Sequence, residues 1–495
     1  MPVDATAVAR VTGLKTQYQD MREGAALNLP QHIALFGQGA SAVAYSTEKF
    51  QATSHQQVGR KVGWGSPLHL AAMELLPDNG DGIGTVTLTV FPLEDAYDST
   101  PSEGKITPSG SQVKAGSYRV RVAGYLSTPF TILKDEIISS ICTKIANSIN
   151  GVLHMPVIAT ASPTDVDLVS KWTGESANDL PIEVLGDLNG VEFAITPMEG
   201  GLVNPSLSDA LAQIGPVWVT MGLNCLNIED TDALDEIQTF GGEPGTETTP
   251  GSGRWDPLVR KPLVVFVGNT KVDVEDATTE MVGRPTDCVN AQLVAPGSPN
   301  LPCVVAARQL ARIARLANNN PPHDYGSQRA TGLIPGADGD QWEYPQRDQA
   351  IKRGSSTIEV KSGVINVSDV VTPYREDGNP FPPYRHVVDI VKLQNVIFNV
   401  DLEFTKPEWD GAPLIGDDES TTNATAKKPK MAKSAASKVV DGLADAAILT
   451  NREASKKAIE ATIAGPKRLD LAIPVQLSGN ANQKAITLRW GFVFG

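Results

Sequence analysis

Two stretches near the C-terminus alternate apolar and polar residues without a break. In Leu469–Leu477 the odd positions Leu469, Leu471, Ile473, Val475 and Leu477 are apolar. In residues 485–495 the even positions Ile486, Leu488, Trp490, Phe492 and Phe494 are. A period of two is the signature of a strand with one buried face. The second stripe is too apolar to be left in water, where such a strand becomes an aggregation hazard. It predicts a strand paired either within its own subunit or against a sheet edge of a neighbour.

The opposite end has little core of its own. Residues 1–30 are polar, alternate weakly through Ala7, Ala9 and Val11, and read as an arm punctuated by Gly24 and Pro30. Val8, Val11, Leu14 and Tyr18 are its candidate intersubunit contacts. A chain that extends both ends fits a subunit wired to its neighbours.

Between the ends the pattern is mixed α+β and α/β, and 495 residues predict about three domains. Ile33–Phe36 is a short apolar run, Pro67–Leu76 a helix, and Thr85–Phe91 an alternating strand. Residues 95–117, rich in Ser, Thr, Gly and Pro, read as a loop. After them come a strand at Tyr118–Val122, a helix at Asp135–Asn150 with Ile137, Ile141, Ile145 and Ile149 on one face, and strands at Val157–Ala161 and Val166–Ser170. Val217–Met221 and the apolar Pro262–Gly268 are further strands. Asp232 reads as the cap of a short helix, and Cys303–Ala317 as the strongest helix of this region. Lys361-Ser362-Gly363 signals a hairpin, His386–Phe398 a helix, and Met431–Leu449 and Asn451–Ala464 two more, with Thr450-x-x-Glu453 as a capping box. The expected organisation is an arm (1–30), an α/β body (31–94 and 199–340), an inserted α/β subdomain (95–198), a C-terminal domain (341–484) and an arm strand (485–495).

Sites of chemistry are hard to find in this sequence. Gly37-Gln38-Gly39-Ala40-Ser41-Ala42 matches G-x-G-x-x-A, which would support an α/β nucleotide-binding enzyme. The acid expected about 20 residues on is missing, so a tight strand-to-helix turn is the plainer reading. Asp78-Asn79-Gly80-Asp81-Gly82 resembles a calcium loop, but its glycine is misplaced and Thr89 stands where Glu is needed, leaving a turn. The acids Glu229, Asp230, Asp232, Asp235 and Glu236 suit the positive end of a helix. The histidines at 32, 55, 69, 154, 323 and 386 are scattered, and the cysteines at 142, 225, 288 and 303 form no Cys-x-x-Cys pair. No catalytic, metal or cofactor residue is therefore assigned, and the expectation is a protein that is not an enzyme. A net charge of −15 argues against general nucleic-acid binding. Without an apolar run near about 18 residues no membrane span is expected, and the N-terminus lacks the apolar core of a secretory signal. Arg308, Arg312 and Arg315 share a helix face, read as solvated or as a basic patch for an acidic neighbour.

The order of several turn motifs resembles the contractile tail sheath proteins of Mu-like bacteriophages. The matching segments are Leu29-Pro30-Gln31-His32-Ile33-Ala34 with Phe36-Gly37-Gln38-Gly39, then Gly65-Ser66-Pro67-Leu68, Gly84–Pro92, Lys171–Asp179, and Gly200-Gly201 with Asn204-Pro205. Arg254-Trp255-Asp256-Pro257, Gly332–Gly336 and Ala350–Thr357 complete the series, with Asp256 where the family has Gly. Each motif is turn chemistry; their order, over about residues 29–400, carries the resemblance.

The resemblance implies a multidomain subunit with a C-terminal sheath core domain and extended N- and C-terminal β-arms. Such subunits stack as hexameric rings around a tail tube protein, between baseplate and tail terminator proteins. They contract to drive the tube through the host envelope for DNA ejection. It further implies a homo-oligomer in the virion tail sheath, made in the host bacterial cytoplasm, with no cofactor and no nucleic-acid or membrane contact. The sheath of a phage-like bacteriocin or secretion system is the neighbouring alternative.

Overall fold

The structure is a computed structural model that describes residues 26–187, 189–246, 248–379, 382–482 and 487. The chain divides into two compact units. Among the described residues, one comprises Asn28–Gln394 with residues 480–482 and 487, the other Asn395–Gly479 with Ala26 and Leu27. The division falls after residue 394, and residues 95–198 lie within the larger unit.

The larger unit is built on a six-stranded sheet. Its strands stand in the order Asn290–Val294, Val264–Asn269, Met221–Asn224, His32–Gln38, Thr87–Leu93 and Phe50–Ala52. The first five are parallel and the last is antiparallel. Both faces are covered, so neighbouring residues pack to opposite sides. Ile33, Leu35, Val264 and Phe266 enter the core under helices Pro67–Leu75 and Pro302–Asn319. Ala34, Phe36 and Val265 enter a second core with Leu211 of helix Ser208–Ala212 and Ile237 of helix Thr231–Gly241. The parallel strands read as apolar runs for this reason. Gly268 is required by a close approach: a Cβ there would lie 1.8 Å from the Pro302 carbonyl oxygen, which opens the long helix.

Residues 101–199 form an antiparallel module within this unit. One sheet runs Val191–Glu199, Pro101–Gly110, Val166–Thr173, Val157–Ala161; the other joins Ile182–Gly186, Gly116–Val122, Tyr125–Leu126 and Phe130–Ile132. Helix Ile138–Asn150 buries Ile141, Ile145 and Ile149, while Ile137 lies at the helix cap, 69% exposed. The expected loop at 95–117 is largely strand. Ser102, Gly104, Ile106 and Pro108 alternate inward, and residues this small or polar gave no apolar stripe to read.

After the sheet come helix Tyr344–Lys352, the hairpin of Ile358–Lys361 with Val364–Val367, and the start of helix Val387–Phe404. Ser362 and Gly363 take the positive φ angles expected of that turn.

In the smaller unit, Val396 packs with Ala436, Val440 and Leu443 of helix Pro429–Asp445 and with Ile448, Leu449 and Ile459. Two sequence readings are corrected here. The helix expected over 451–464 is Arg452–Ala458 followed by strand Glu460–Gly465. It starts at Asn451 in the left-handed region without a side-chain cap, so the Thr450 capping box is not formed. Gly465-Pro466 turns a hairpin onto strand Arg468–Ala472. The strand expected over 469–477 is broken after Ala472, where Pro474 offers no N–H. It resumes at Gln476–Leu477, paired with Leu449–Thr450. The apolar stripe still holds, since Leu471, Ile473, Val475 and Leu477 all pack on this core.

Candidate functional site

The Gly37–Ala42 turn does not open a helix. Gln38 donates from its side chain to Asp95 Oδ1 at 2.7 Å and to the Thr173 carbonyl at 2.9 Å. The Gly39 N–H donates to the Tyr45 hydroxyl, which donates to the Leu93 carbonyl at 2.8 Å. Tyr45 fills the space above Gly39, where a Cβ would meet its ring at 2.4 Å. The next helix starts only at His55. The strand-to-helix reading is corrected: a helix N-terminus aimed at a phosphate, the physical basis of a dinucleotide turn, is not built here.

The arginine face is corrected as well. Arg308 is 3% exposed, and both it and Arg312 turn onto Asp81 in the loop once compared with a calcium site. Arg308 donates to the Asp81 carbonyl and carboxylate, each at 2.7 Å, and Thr331 adds a hydroxyl at 3.0 Å. These two guanidiniums tie a loop to a helix inside the subunit, and of the three only Arg315 is exposed. Helical spacing showed that they share a face; it could not show that an acid more than 220 residues away covers it.

The acidic run is spent on structure. Asp230, not Asp232, caps the helix, accepting from the Ala233 N–H at 3.0 Å. Glu229 pairs with Lys271, Asp235 with Arg284, and Glu236 accepts from the Leu207 N–H at 2.6 Å. Nearby, burial and then the Glu229 carboxylate raise Asp179 to about 7, against the pull of Lys271. Among the described residues no three His, Cys, Asp or Glu are placed to hold a metal ion. The four cysteines are buried and unpaired. No helix among the described residues is long and apolar enough to cross a membrane.

The arm residues Val8, Val11, Leu14, Tyr18, Ile486, Leu488, Trp490, Phe492 and Phe494 lie outside the described residues. In the smaller unit the hairpin of Glu460–Gly465 with Arg468–Ala472 and the pair Leu449–Thr450 with Gln476–Leu477 are separate two-stranded sheets. Each of these strands has a partner on one side only among the described residues, so its other edge carries backbone groups able to pair.

The sequence left its histidines scattered, but the fold gathers three of them. His69 packs on Trp64 and near His55, with His154 and Lys171 close enough to act on its charge, a grouping with no signal in residue spacing.

No family model matches the chain. It is 22% identical over 375 residues to the Mu-like prophage FluMu tail sheath protein of Haemophilus influenzae, covering 74% of this chain and 73% of that protein. Among solved structures, the sheath tail protein of Listeria innocua aligns over 93% of this chain and 94% of its own, with 12% identity and a TM-score of 0.47. That of Desulfitobacterium hafniense aligns over 91% and 93%, with 11% identity and a TM-score of 0.43. A chain of the anti-feeding prophage baseplate aligns over 98% and 100%, with 9% identity and a TM-score of 0.45. The curated relative bears out the resemblance read from the turn motifs: what this chain is similar to is a tail sheath protein, a structural component.

Proposed function

We propose that this chain, alike over 375 residues to a Mu-like prophage tail sheath protein, is the repeating subunit of a contractile tail sheath. That similarity is the observation that carries the reading. Six copies form a ring, rings stack around a tail tube between baseplate and tail terminator, and the stack shortens to drive the tube through the host envelope for DNA ejection. The subunit is made in the host bacterial cytoplasm and resides in the virion tail.

The physical logic rests on two kinds of contact. Strands exchanged between neighbours are held by backbone hydrogen bonds, which persist while globular surfaces slide. The half-paired strands of the smaller unit offer edges for such exchange, and the alternating 486–494 sequence is the segment proposed to pair there. A contact that does not close on itself propagates as a helical array. No step of this function requires catalysis.

The test is removal of residues 485–495. The truncated chain should fold and fail to form tubes or rings in electron micrographs, and Trp490→Asp should do the same. Normal assembly of either variant would sink the arm reading; loss of fold as a monomer would make the strand internal.

A further inference from the structure

The module of residues 101–199 shares a core with the rest of its unit, and one of their contacts is built around a glycine. Gly65 lies between Trp64 and helix Pro67–Leu75 with φ +82, and a Cβ on it would stand 2.3 Å from the Met155 carbonyl oxygen and 3.0 Å from Lys171 Nζ. Both of those belong to the module. Lys171 donates to the Trp64 carbonyl and to the Leu153 carbonyl, each at 3.2 Å, so a single ammonium ties the two parts together. The Ser41 N–H adds a bond to the Lys171 carbonyl at 2.8 Å.

His69 closes this contact from the other side. Its Nδ1 accepts the Gly65 N–H at 3.1 Å, so the ring is neutral there and carries its proton on Nε2, which is buried without a partner. The ring lies 4.8 Å from Trp64, edge-on, and 5.7 Å from His55.

The surroundings are rich in cations and potential cations. His55 faces His69, and Lys171 and His154, whose own ring lies 5.3 Å from Tyr125, act on it through their charge. Of the acids nearby, Asp78 stands 3.3 Å from His55 Nε2, and Glu74 stands 3.8 Å from Arg308.

We propose that this contact is an acid-opened latch. A proton arriving on His69 Nδ1 displaces the Gly65 N–H, sets an imidazolium beside the Lys171 ammonium, and opens this one contact between the 101–199 module and the sheet-bearing body. Burial, then His55, His154 and Lys171, hold His69 down at about 3 while the latch is closed. His154 is lowered in the same way, by burial and then by Lys171 and His55. Once open, the His69 ring titrates near its ordinary value of about 6.5. The latch is therefore at full strength above that value and weakens as pH falls toward the closed-state value. One proton taken up on opening raises the opening constant about 30-fold between pH 7.5 and pH 5.

Hydrogen–deuterium exchange on the full chain, corrected for intrinsic exchange at each pH, tests this. Between pH 7.5 and 5.0 the peptides covering 55–75 and 150–173 should lose about 30-fold in protection. Peptides from helix Pro302–Asn319 should keep theirs. His69→Gln retains an acceptor oxygen for the Gly65 N–H and cannot take the proton, so it should match the wild type at pH 7.5 and lose the acid response. His69→Asn serves in its place if the longer amide does not fit. Unchanged protection in the wild type at pH 5.0, loss spread equally over Pro302–Asn319, or a folded amide variant that keeps the response would each overturn the proposal.

Discussion

Asp81→Ala should cost this chain more than any substitution of an exposed surface acid. Asp81 answers two guanidiniums at once, and one of them, Arg308, has a side chain only 4% exposed. Without the carboxylate, Arg308 keeps a backbone carbonyl, the Thr331 hydroxyl at 2.8 Å and a distant Glu74 oxygen at 3.8 Å; Arg312 keeps only Thr331 at 3.2 Å among the bonds seen here. Removing one partner from a buried pair costs about 3–5 kcal/mol. The Asp81 side chain is 35% exposed, so solvent screens part of this, and about 2–3 kcal/mol is expected.

The same loss has a pH signature. The Arg312 hydrogen bond first, then Thr331 and the Arg308 charge, hold the Asp81 carboxyl well below the usual carboxylate range. In the unfolded chain it titrates near an ordinary Asp, about 3.9. Its contribution is therefore whole above that value and is lost as pH falls through the folded one. Urea unfolding of the body, read by exchange in Pro302–Asn319 peptides, should show the wild-type advantage at pH 7 and a shrinking one below about pH 4. Arg315→Ala, an exposed control on the same helix, should stay within about 0.5 kcal/mol. An Asp81→Ala cost no larger than the control's, or one that does not shrink in acid, would refute the reasoning.

Two further substitutions probe other parts of the body. Gly268→Ala drives a methyl into the Pro302 carbonyl and should lower stability by about 3 kcal/mol or more, seen as a fall in melting temperature. Asp179→Asn should stabilise the chain by about 1 kcal/mol at pH 8, because burial and Glu229 disfavour the carboxylate there. That gain should vanish near pH 4, where the native carboxyl is already protonated; a gain independent of pH would contradict it.

What the sequence revealed and what it hid divide along physical lines. Strands buried on both faces, such as Val264–Asn269, stood out as apolar runs, and the long helix Pro302–Asn319 by its periodicity. The hairpin at Ser362-Gly363 was legible because only certain residues tolerate positive φ. Strand Pro101–Gly110 was hidden because its inward positions are Ser, Gly, Ile and Pro, and it is held by its neighbours in the sheet. The Arg308–Arg312–Asp81 node and the His55–His69–His154 group were hidden for another reason. Their members are distant in the chain, and only the closed fold brings them together. The turn motifs were individually weak, yet in order they led to the tail sheath resemblance that the Haemophilus influenzae protein bears out.

The central claim is that this chain assembles as a sheath. Electron microscopy of the purified full-length protein measures that directly. Six-fold rings stacked into hollow tubes are the expected result. A monodisperse monomer that forms neither rings nor tubes at any concentration would contradict the account.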